Sequence, residues 1–285
     1  MECKNEKALS LRELQQIELQ LLHRFIEICD EYQIKYYIIG GALLGAVRHG
    51  GFIPWDDDID VAVPRCDYRK LIATMAQIRD STTEMCWYKE DESLYYYPVK
   101  IVDPRYKLSD PRLTKGYGHP AIDVLPLDGM PDGRVKASVF RFRMLVYRLL
   151  LGLHYVDNIR EVKRSPLERM LIRFGKLTGI GRWIDPTSVK DRIDRLLSSN
   201  DIENCSVIGT CMGAYFFHEF VPKSYFGAGS YVSFEDIKVR APERVDAYLR
   251  HMYGDYMQLP PEAERKSKHL VLIKSDSNGG IRGGG

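Results

Sequence analysis

The sequence predicts an α+β protein: a mixed β-sheet core flanked by helices, with a helical elaboration following it. Three observations carry that expectation. Helical periodicity at 10–33 and 65–79 alternates with short β-branched and aromatic runs at 36–39, 59–63, 94–102 and 120–126. From 134 to 199 the pattern turns helical, in about three segments. The last third is mixed again, with a Gly- and aromatic-rich stretch at 209–234, a strand at 237–240 and a helix opened by Pro242.

Each element has a local reason. Ser10 and Glu13 form a capping-box pattern, after which Leu14, Ile17, Leu21, Phe25 and Ile28 recur at helical spacing. Tyr36 to Ile39 is a short strand that breaks at Gly40-Gly41, and 42–47 reads as a short helix. Residues 48–57 form a polar loop with Gly and Pro, followed by the strand at 59–63. Pro98 weakens the strand at 94–102, because proline cannot donate to a ladder. The boundaries that follow are a catalytic core at 1–130, a helical elaboration at 131–205, a C-terminal part completing the core at 206–274, and a disordered tail at 275–285.

Composition limits the function classes. The 285 residues carry 41 Lys or Arg against 39 Asp or Glu, a net charge of +2 that argues against a dedicated nucleic-acid binder. Residues 1–7 contain no apolar signal core, and no apolar run reaches membrane-spanning length. The six cysteines include no C-x-x-C pair, so reduced thiols in a cytoplasmic protein are the expectation.

The chemistry is concentrated in residues 40–60. On a strand, side chains at i and i+2 share a face, so Asp58 and Asp60 present two carboxylates together while Ile59 and Val61 pack behind them. Paired carboxylates repel unless a cation neutralises them, and Mg²⁺ commonly joins carboxylates to substrate phosphates. The Gly40-Gly41 turn lets the backbone approach a ligand closely, and the helix start after it favours a phosphate. A solvated acidic turn is the plain alternative for any D-x-D. An aspartyl-phosphate phosphatase fits poorly, because Phe52-Ile53-Pro54-Trp55 leads into the motif and Ala62 fills its fifth position. A nucleotide-sugar glycosyltransferase remains open on the carboxylates alone.

The stretch from Ile38 to Val61, continuing through Arg65, Asp67, Tyr68 and Leu71, resembles the signature of the LicD family. Ile122-Asp123-Val124-Leu125-Pro126-Leu127-Asp128-Gly129 resembles that family's next motif. Phe234-Glu235, Pro242, Tyr253-Gly254-Asp255-Tyr256-Met257 and Pro260-Pro261 are similar to its C-terminal part. The resemblance covers about half the chain and leaves 130–205 without a match. It implies a nucleotidyltransferase-type fold and a transferase that moves phosphocholine from CDP-choline, or a similar phospho-alcohol from a CDP-linked donor, to a hydroxyl of a cell-surface glycan or its lipid-linked precursor. It also implies a third carboxylate on a neighbouring strand, where Asp123 is the matching position. The chain lacks the cysteine spacing of the zinc insertion in the distantly related fukutin-related proteins, which points to a bacterial-type member.

The expected roles follow. Asp58, Asp60 and Asp123 are the catalytic and metal-binding set for Mg²⁺ or Mn²⁺, with Asp123 either a metal ligand or the base for the acceptor hydroxyl; the bland alternative is a carboxylate buried against an Arg. Gly40, Gly41, Arg48, His49 and Lys100 form the donor-phosphate set. A surface ion pair is the competing role for Arg48, a satisfied loop position for His49, and a snorkelling side chain for Lys100. Asp56 and Asp57 cap the loop or touch the metal, Trp55 packs, and Asp128 belongs to a Leu-Asp-Gly turn. Arg265, Lys266, Lys268 and His269 are a small basic cluster, either solvated or facing an anionic substrate. The apolar segment at 139–151, interspersed with Arg, is read first as a buried helix and second as a peripheral membrane contact at the inner face of the membrane. The rival functions are the glycosyltransferase and a catalytically silent family member that binds a glycan or a partner enzyme.

Overall fold

The computed structural model describes residues 8–78, 80–91, 94, 96–109, 118–155, 178–213, 215–266 and 271–274. The short strand β1 (Ala8–Leu9) leads into α1 (Leu11–Glu31), which opens with the expected capping box: the Ser10 side chain accepts from the Glu13 N–H and Glu13 reaches back to Ser10. Next come β2 (Tyr37–Ile38), α2 (Gly40–His49), β3 (Ile59–Pro64) and α3 (Arg65–Met75). Helix α3 ends earlier than its periodicity suggests.

The strands β4 (Glu84–Cys86), β5 (Val99–Val102), β6 (Tyr106–Ser109) and β7 (Ala121–Met130) follow. Strand β5 starts immediately after Pro98, which places the proline outside the ladder and shortens the expected strand. The central sheet runs in the order β2-β3-β7-β5-β4, with β3 and β7 parallel and the other pairs antiparallel. Strand β7 pairs with β5 up to Val124 and with β8 (Val207–Gly209) from Asp128 onward. Pro126 falls between the two, where that edge changes neighbours.

The elaboration contains α4 (Arg134–His154), a 3₁₀ turn at Ile180–Trp183 and α5 (Pro186–Leu197), which is capped by Asp185 and opened by its proline. Phe140, Met144 and Leu151 of α4 pack with Val189, Ile193 and Leu197 of α5 in a core of their own. Helix α4 is therefore buried along one side only, a partial correction to the buried-helix reading of 139–151. The rest of the segment at 156–177 lies outside the described residues, as do Lys268, His269 and the tail from 275.

Strand β9 (Val221–Pro222) pairs with β8, and β10 (Ser230–Phe234) forms a hairpin with β11 (Ile237–Ala241). Strand β10 was hidden in the Gly- and aromatic-rich stretch, because it opens with Ser230 and its apolar residues are interrupted by Ser233. Helix α6 (Val245–Tyr253) begins after Arg244 rather than at Pro242, whose carbonyl accepts from Ser230 Oγ. Phe234, Val239, Ala241, Tyr248 and Leu249 share one core with α1, α2 and the central sheet. Last, β12 (Val271–Lys274) pairs with β1 and β6 in a separate three-stranded sheet.

Candidate active site

The site is built around the loop at 50–58, which returns from α2 to β3. Gly45 faces the Gly51 carbonyl so closely that a β-carbon would collide with it, so helix and loop pack backbone to backbone. Gly50 ends α2 in the left-handed region at φ 74°, a usual helix terminus for glycine. Two outside clamps fix the loop. From α1, Gln15 Nε2 donates to the Asp56 carbonyl at 2.8 Å. From the β10–β11 turn, Glu235 accepts from the Phe52 N–H at 3.2 Å and from both terminal nitrogens of Arg12 at 3.0 and 2.7 Å. The loop is therefore polar in sequence yet held from two sides.

The carboxylates meet at the end of this loop. Oxygens of Asp56, Asp57 and Asp58 lie within 4.8 Å of one another. Strand β3 starts at Ile59, so Asp58 stands just before the strand rather than on its ladder, a correction to the shared-face argument. Asp58 and Asp60 are nevertheless electrostatic neighbours. Asp60 on β3 is directly opposite Asp123 on β7, and Asp123 is directly opposite Lys100 on β5. Lys100 forms an ion pair with Asp123 and lies 5.0 Å from the Tyr96 ring centre. Three adjacent strands thus present Lys100, Asp123 and Asp60 in one row. Burial, then the charges of Asp58 and Asp123, push the Asp60 carboxyl well above its ordinary range, while Lys100 opposes them.

Gly40 forms the floor of the site at φ 61°, and a β-carbon there would lie 2.9 Å from Asp60 Oδ2. A β-carbon on Gly41 would lie 2.5 Å from Asp56 Oδ2. Both glycines of the turn therefore back directly onto the carboxylates.

Two groups escaped the sequence reading. Glu18 is only 1% exposed, and its Oε2 has no hydrogen-bond partner among the described residues. Burial, then the charges of Asp58, Asp57, Asp123 and Asp56, raise its carboxyl well above the usual value. It occupies a core position of α1 next to Ile17 and Leu21, a placement that its amphipathic spacing could have flagged. The second group is a wall from the C-terminal part. Tyr215 and Tyr253 meet edge to face at 5.8 Å, and both feel the charge of Asp56. Glu219 lies behind them, accepting from Thr210 Oγ1 and the Tyr215 N–H, and its charge reaches Asp60. Nothing in the spacing of these residues from 40–60 signals that contact.

Arg48 donates to the Tyr256 carbonyl at 2.8 Å, so neither a free phosphate clamp nor a surface ion pair describes all of it. Its guanidinium is pushed below the usual value by burial, then by the nearby charge of Arg265. Arg265 also lies over the Trp55 ring at 5.9 Å, and His49 meets that ring edge to face at 6.0 Å. Arg48, His49 and Arg265 therefore gather around Trp55, where burial and then the charge of Arg48 push the His49 imidazole below its usual value.

Asp128 is not in a turn. It is buried in β7, and Arg65 grips it from Nε at 2.6 Å and Nη2 at 2.5 Å. The buried carboxylate–Arg arrangement considered for Asp123 is realised here instead. A groove of about 280 Å³ beside this pair, lined by Arg69, Trp87, Lys89 and Tyr97 among others, lies at the opposite ends of β3 and β7 from Asp60 and Asp123.

An oxygen-only donor set with an unsatisfied buried carboxylate beside it fits a hard divalent cation. Residues 33–139 match the family model described as "LicD/FKTN/FKRP, nucleotidyltransferase domain". Over 268 residues the chain is 29% identical to the lipopolysaccharide cholinephosphotransferase LicD of Haemophilus influenzae, covering 93% of this chain and 97% of that protein. A segment of 38 residues is 53% identical to the human ribitol 5-phosphate transferase FKRP, covering 13% of this chain and 8% of that protein. With the mixed sheet, the glycine turn and the carboxylate row in these positions, residues 33–139 are similar to the LicD-type nucleotidyltransferase domain.

Proposed function

We propose that this LicD-type phosphotransferase moves phosphocholine, or a similar phospho-alcohol, from a CDP-linked donor such as CDP-choline to a hydroxyl of a cell-surface glycan or its lipid-linked precursor. The observation that carries the reading is the gathering of Asp56, Asp57, Asp58, Asp60 and Asp123 against the Gly40-Gly41 turn, in a chain alignable over nearly its whole length with a cholinephosphotransferase.

Asp58 and Asp60 would hold Mg²⁺ or Mn²⁺, with Asp56, Asp57 and Asp123 in reach of the same place. When bound, the cation supplies neutralisation of the donor diphosphate and of the entering and leaving oxygens. The chain's own groups do the rest. The turn would place phosphate against the N-terminus of α2, while Arg48 and His49 stand at the opposite end of that helix. Lys100 pairs with Asp123 and orients it, and Asp123 accepts the proton of the acceptor hydroxyl. The hydroxyl oxygen bonds to the choline-side phosphorus as the bond from that phosphorus to the bridging oxygen breaks. CMP leaves with both electrons of that bond. The Tyr215 and Tyr253 rings beside Asp56 offer aromatic faces for a trimethylammonium group.

The test is product isolation with CDP-choline and a lipopolysaccharide acceptor. Phosphocholine on the acceptor with CMP released supports the reading. Cytidylylated acceptor with free phosphocholine, or sugar transferred without phosphorus from a nucleotide sugar, overturns it. So does an unchanged cellular phenotype with Asp58→Asn and Asp123→Asn.

A further inference from the structure

Helix α4 is apolar on two opposite sides. Its inner side buries Phe140, Met144 and Leu151 against the elaboration core. Its outer side carries Val135 at 77%, Val139 at 52%, Phe142 at 67%, Leu145 at 53% and Leu149 at 46% exposure. These residues follow one another at intervals of three or four, so they form a single stripe along the helix. The 21 residues span about 31 Å at the α-helical rise. At the C-terminal end, His154 Nδ1 lies 3.0 Å from the Gly181 carbonyl, and the 3₁₀ turn it touches presents Ile180 at 45% and Trp183 at 87% exposure. Contiguous exposed apolar surface of this kind marks an interaction site.

The charges decide what it fits. Helix α4 contains Arg134, Lys136, Arg141, Arg143 and Arg148 and no Asp or Glu. At 100° per residue, Arg134 and Arg141 border one edge of the stripe, and Lys136 and Arg143 border the other. Arg182 adds a further exposed cation in the 3₁₀ turn. A second copy docked on the same stripe would bring two all-basic borders together with no acid to meet them. A surface with apolar depth and negative charge at its rim matches both features. No helix among the described residues is long and apolar enough to cross a membrane.

We propose that the outer stripe of α4, with Ile180 and Trp183, lies in the headgroup layer of an anionic phospholipid bilayer. The apolar side chains enter the acyl boundary, the bordering Arg and Lys meet lipid phosphates, and Trp183 sits at the interface. The same helix leads back to the site. Arg148 lies over the Phe216 ring at 4.2 Å and donates to the Cys211 carbonyl at 3.4 Å, and its charge reaches Glu219. Glu219 belongs to the wall beside Asp60. Docking on α4 therefore holds the wall beside Asp60 near the membrane. The proposal does not depend on which group is transferred.

The experiment is flotation of the full chain with vesicles of pure phosphatidylcholine and with vesicles that also contain phosphatidylglycerol. Binding to the second only, weakened by salt, with a tryptophan blue shift abolished by Trp183→Phe, supports the proposal. Phe142→Glu combined with Leu145→Glu should weaken binding at least about tenfold at unchanged Tm, with unchanged turnover of a water-soluble acceptor. Three results overturn it: no preference for the anionic vesicles, a large fall in Tm of the double variant, which would mean the stripe is covered within the chain, or a dimer in solution that the double variant abolishes. Loss of all transferase activity with vesicle binding intact would count against the proposed reaction and leave the surface standing.

Discussion

Replacing Gly40 with Ala tests whether the glycine turn positions the carboxylates or merely reverses the chain. The added methyl would lie 2.9 Å from Asp60 Oδ2 and 3.5 Å from Asp60 Cβ. Contact carbons and oxygens settle near 3.4 Å or more, so the Asp60 carboxylate must retreat by about 0.5 Å. Its Cβ is already at contact, so the retreat is a rotation of the side chain away from the site. A full ångström of misplacement costs about 10²-fold in rate, and half of that about tenfold. The backbone adds its own cost. Gly40 has φ 61°, where an L-residue is strained by roughly 1–2 kcal/mol.

Gly50→Ala separates the two effects. Gly50 has φ 74°, and nothing lies within 4 Å of its would-be β-carbon. It should lose comparable stability, with a Tm lower by about 2–8 °C, and keep its catalytic constants. Gly40→Ala should lose comparable stability and also about tenfold or more in kcat/KM, with weaker binding of Mn²⁺ measured by calorimetry. A Gly40→Ala enzyme with kcat/KM and Mn²⁺ affinity like those of Gly50→Ala would refute the positioning argument.

Three further predictions concern other parts of the molecule. Arg65→Met strips the partner from Asp128, whose side chain is fully buried, and should cost about 3–5 kcal/mol; adding Asp128→Leu should recover most of it, and equal Tm values for the single and double variants would contradict this. The Glu18 carboxyl is raised in the folded state, so its contribution to stability is full below the unfolded value and is lost as pH rises through the folded one. In chelator, Glu18→Gln should therefore raise Tm at pH 8 with little gain at pH 5, and Mg²⁺ should stabilise the wild type more than the variant; a pH-independent difference would remove the electrostatic account. Tyr253→Leu should raise KM for CDP-choline more than for CDP-ethanolamine, on the order of several-fold, since only the quaternary ammonium relies on an aromatic face; equal effects on both donors would assign Tyr253 to packing alone.

Much of the core was legible because its signals are local. The capping box at Ser10 and Glu13 and the alternation at 59–63 each specify geometry within a few residues and formed where expected, whereas Gly40 and Gly41 form the first turn of α2, which runs on through His49, instead of breaking the chain before a helix at 42–47. The row of Lys100, Asp123 and Asp60 was legible only as three separate candidates. Their alignment depends on the register of three strands from distant parts of the chain, which no local pattern encodes. Asp128 misled for the same reason: Leu-Asp-Gly is a turn pattern locally, but an Arg brought from α3 makes a strand position tolerable for the charge. Helix α6 begins late because Pro242 stands just after β11, where its carbonyl accepts from Ser230 Oγ at the open end of the hairpin. Glu18 is easily passed over because a Glu in an amphipathic helix is ordinarily a solvated one, although its spacing from Leu14 and Leu21 places it on the apolar face.

The distribution of charge connects the site to the rest of the molecule. Glu18, Asp56, Asp57, Asp58, Asp60 and Asp123 influence one another, while Lys100 is the cation whose charge reaches Asp60. With a net charge of only +2, the balancing lysines and arginines must lie elsewhere, and α4 alone holds five of them. A fold selected only for stability would interleave these charges. Here the acids are gathered on strands and a clamped loop, where neutral or outward-facing groups fix them: Gln15 through its amide, Glu235 through Arg12, Gly40 through its missing side chain. Such clamps fix position without neutralising charge, so under the proposed function the repulsion would be relieved by a cation and its phosphate ligand. The complementary excess of positive charge sits on an exposed helix, where it costs little and where a negatively charged surface can meet it. Under the two proposals, separating the signs in this way would suit the acidic loop to a metal-bound diphosphate and α4 to an anionic bilayer, and it explains why neither feature shows in the near-neutral total.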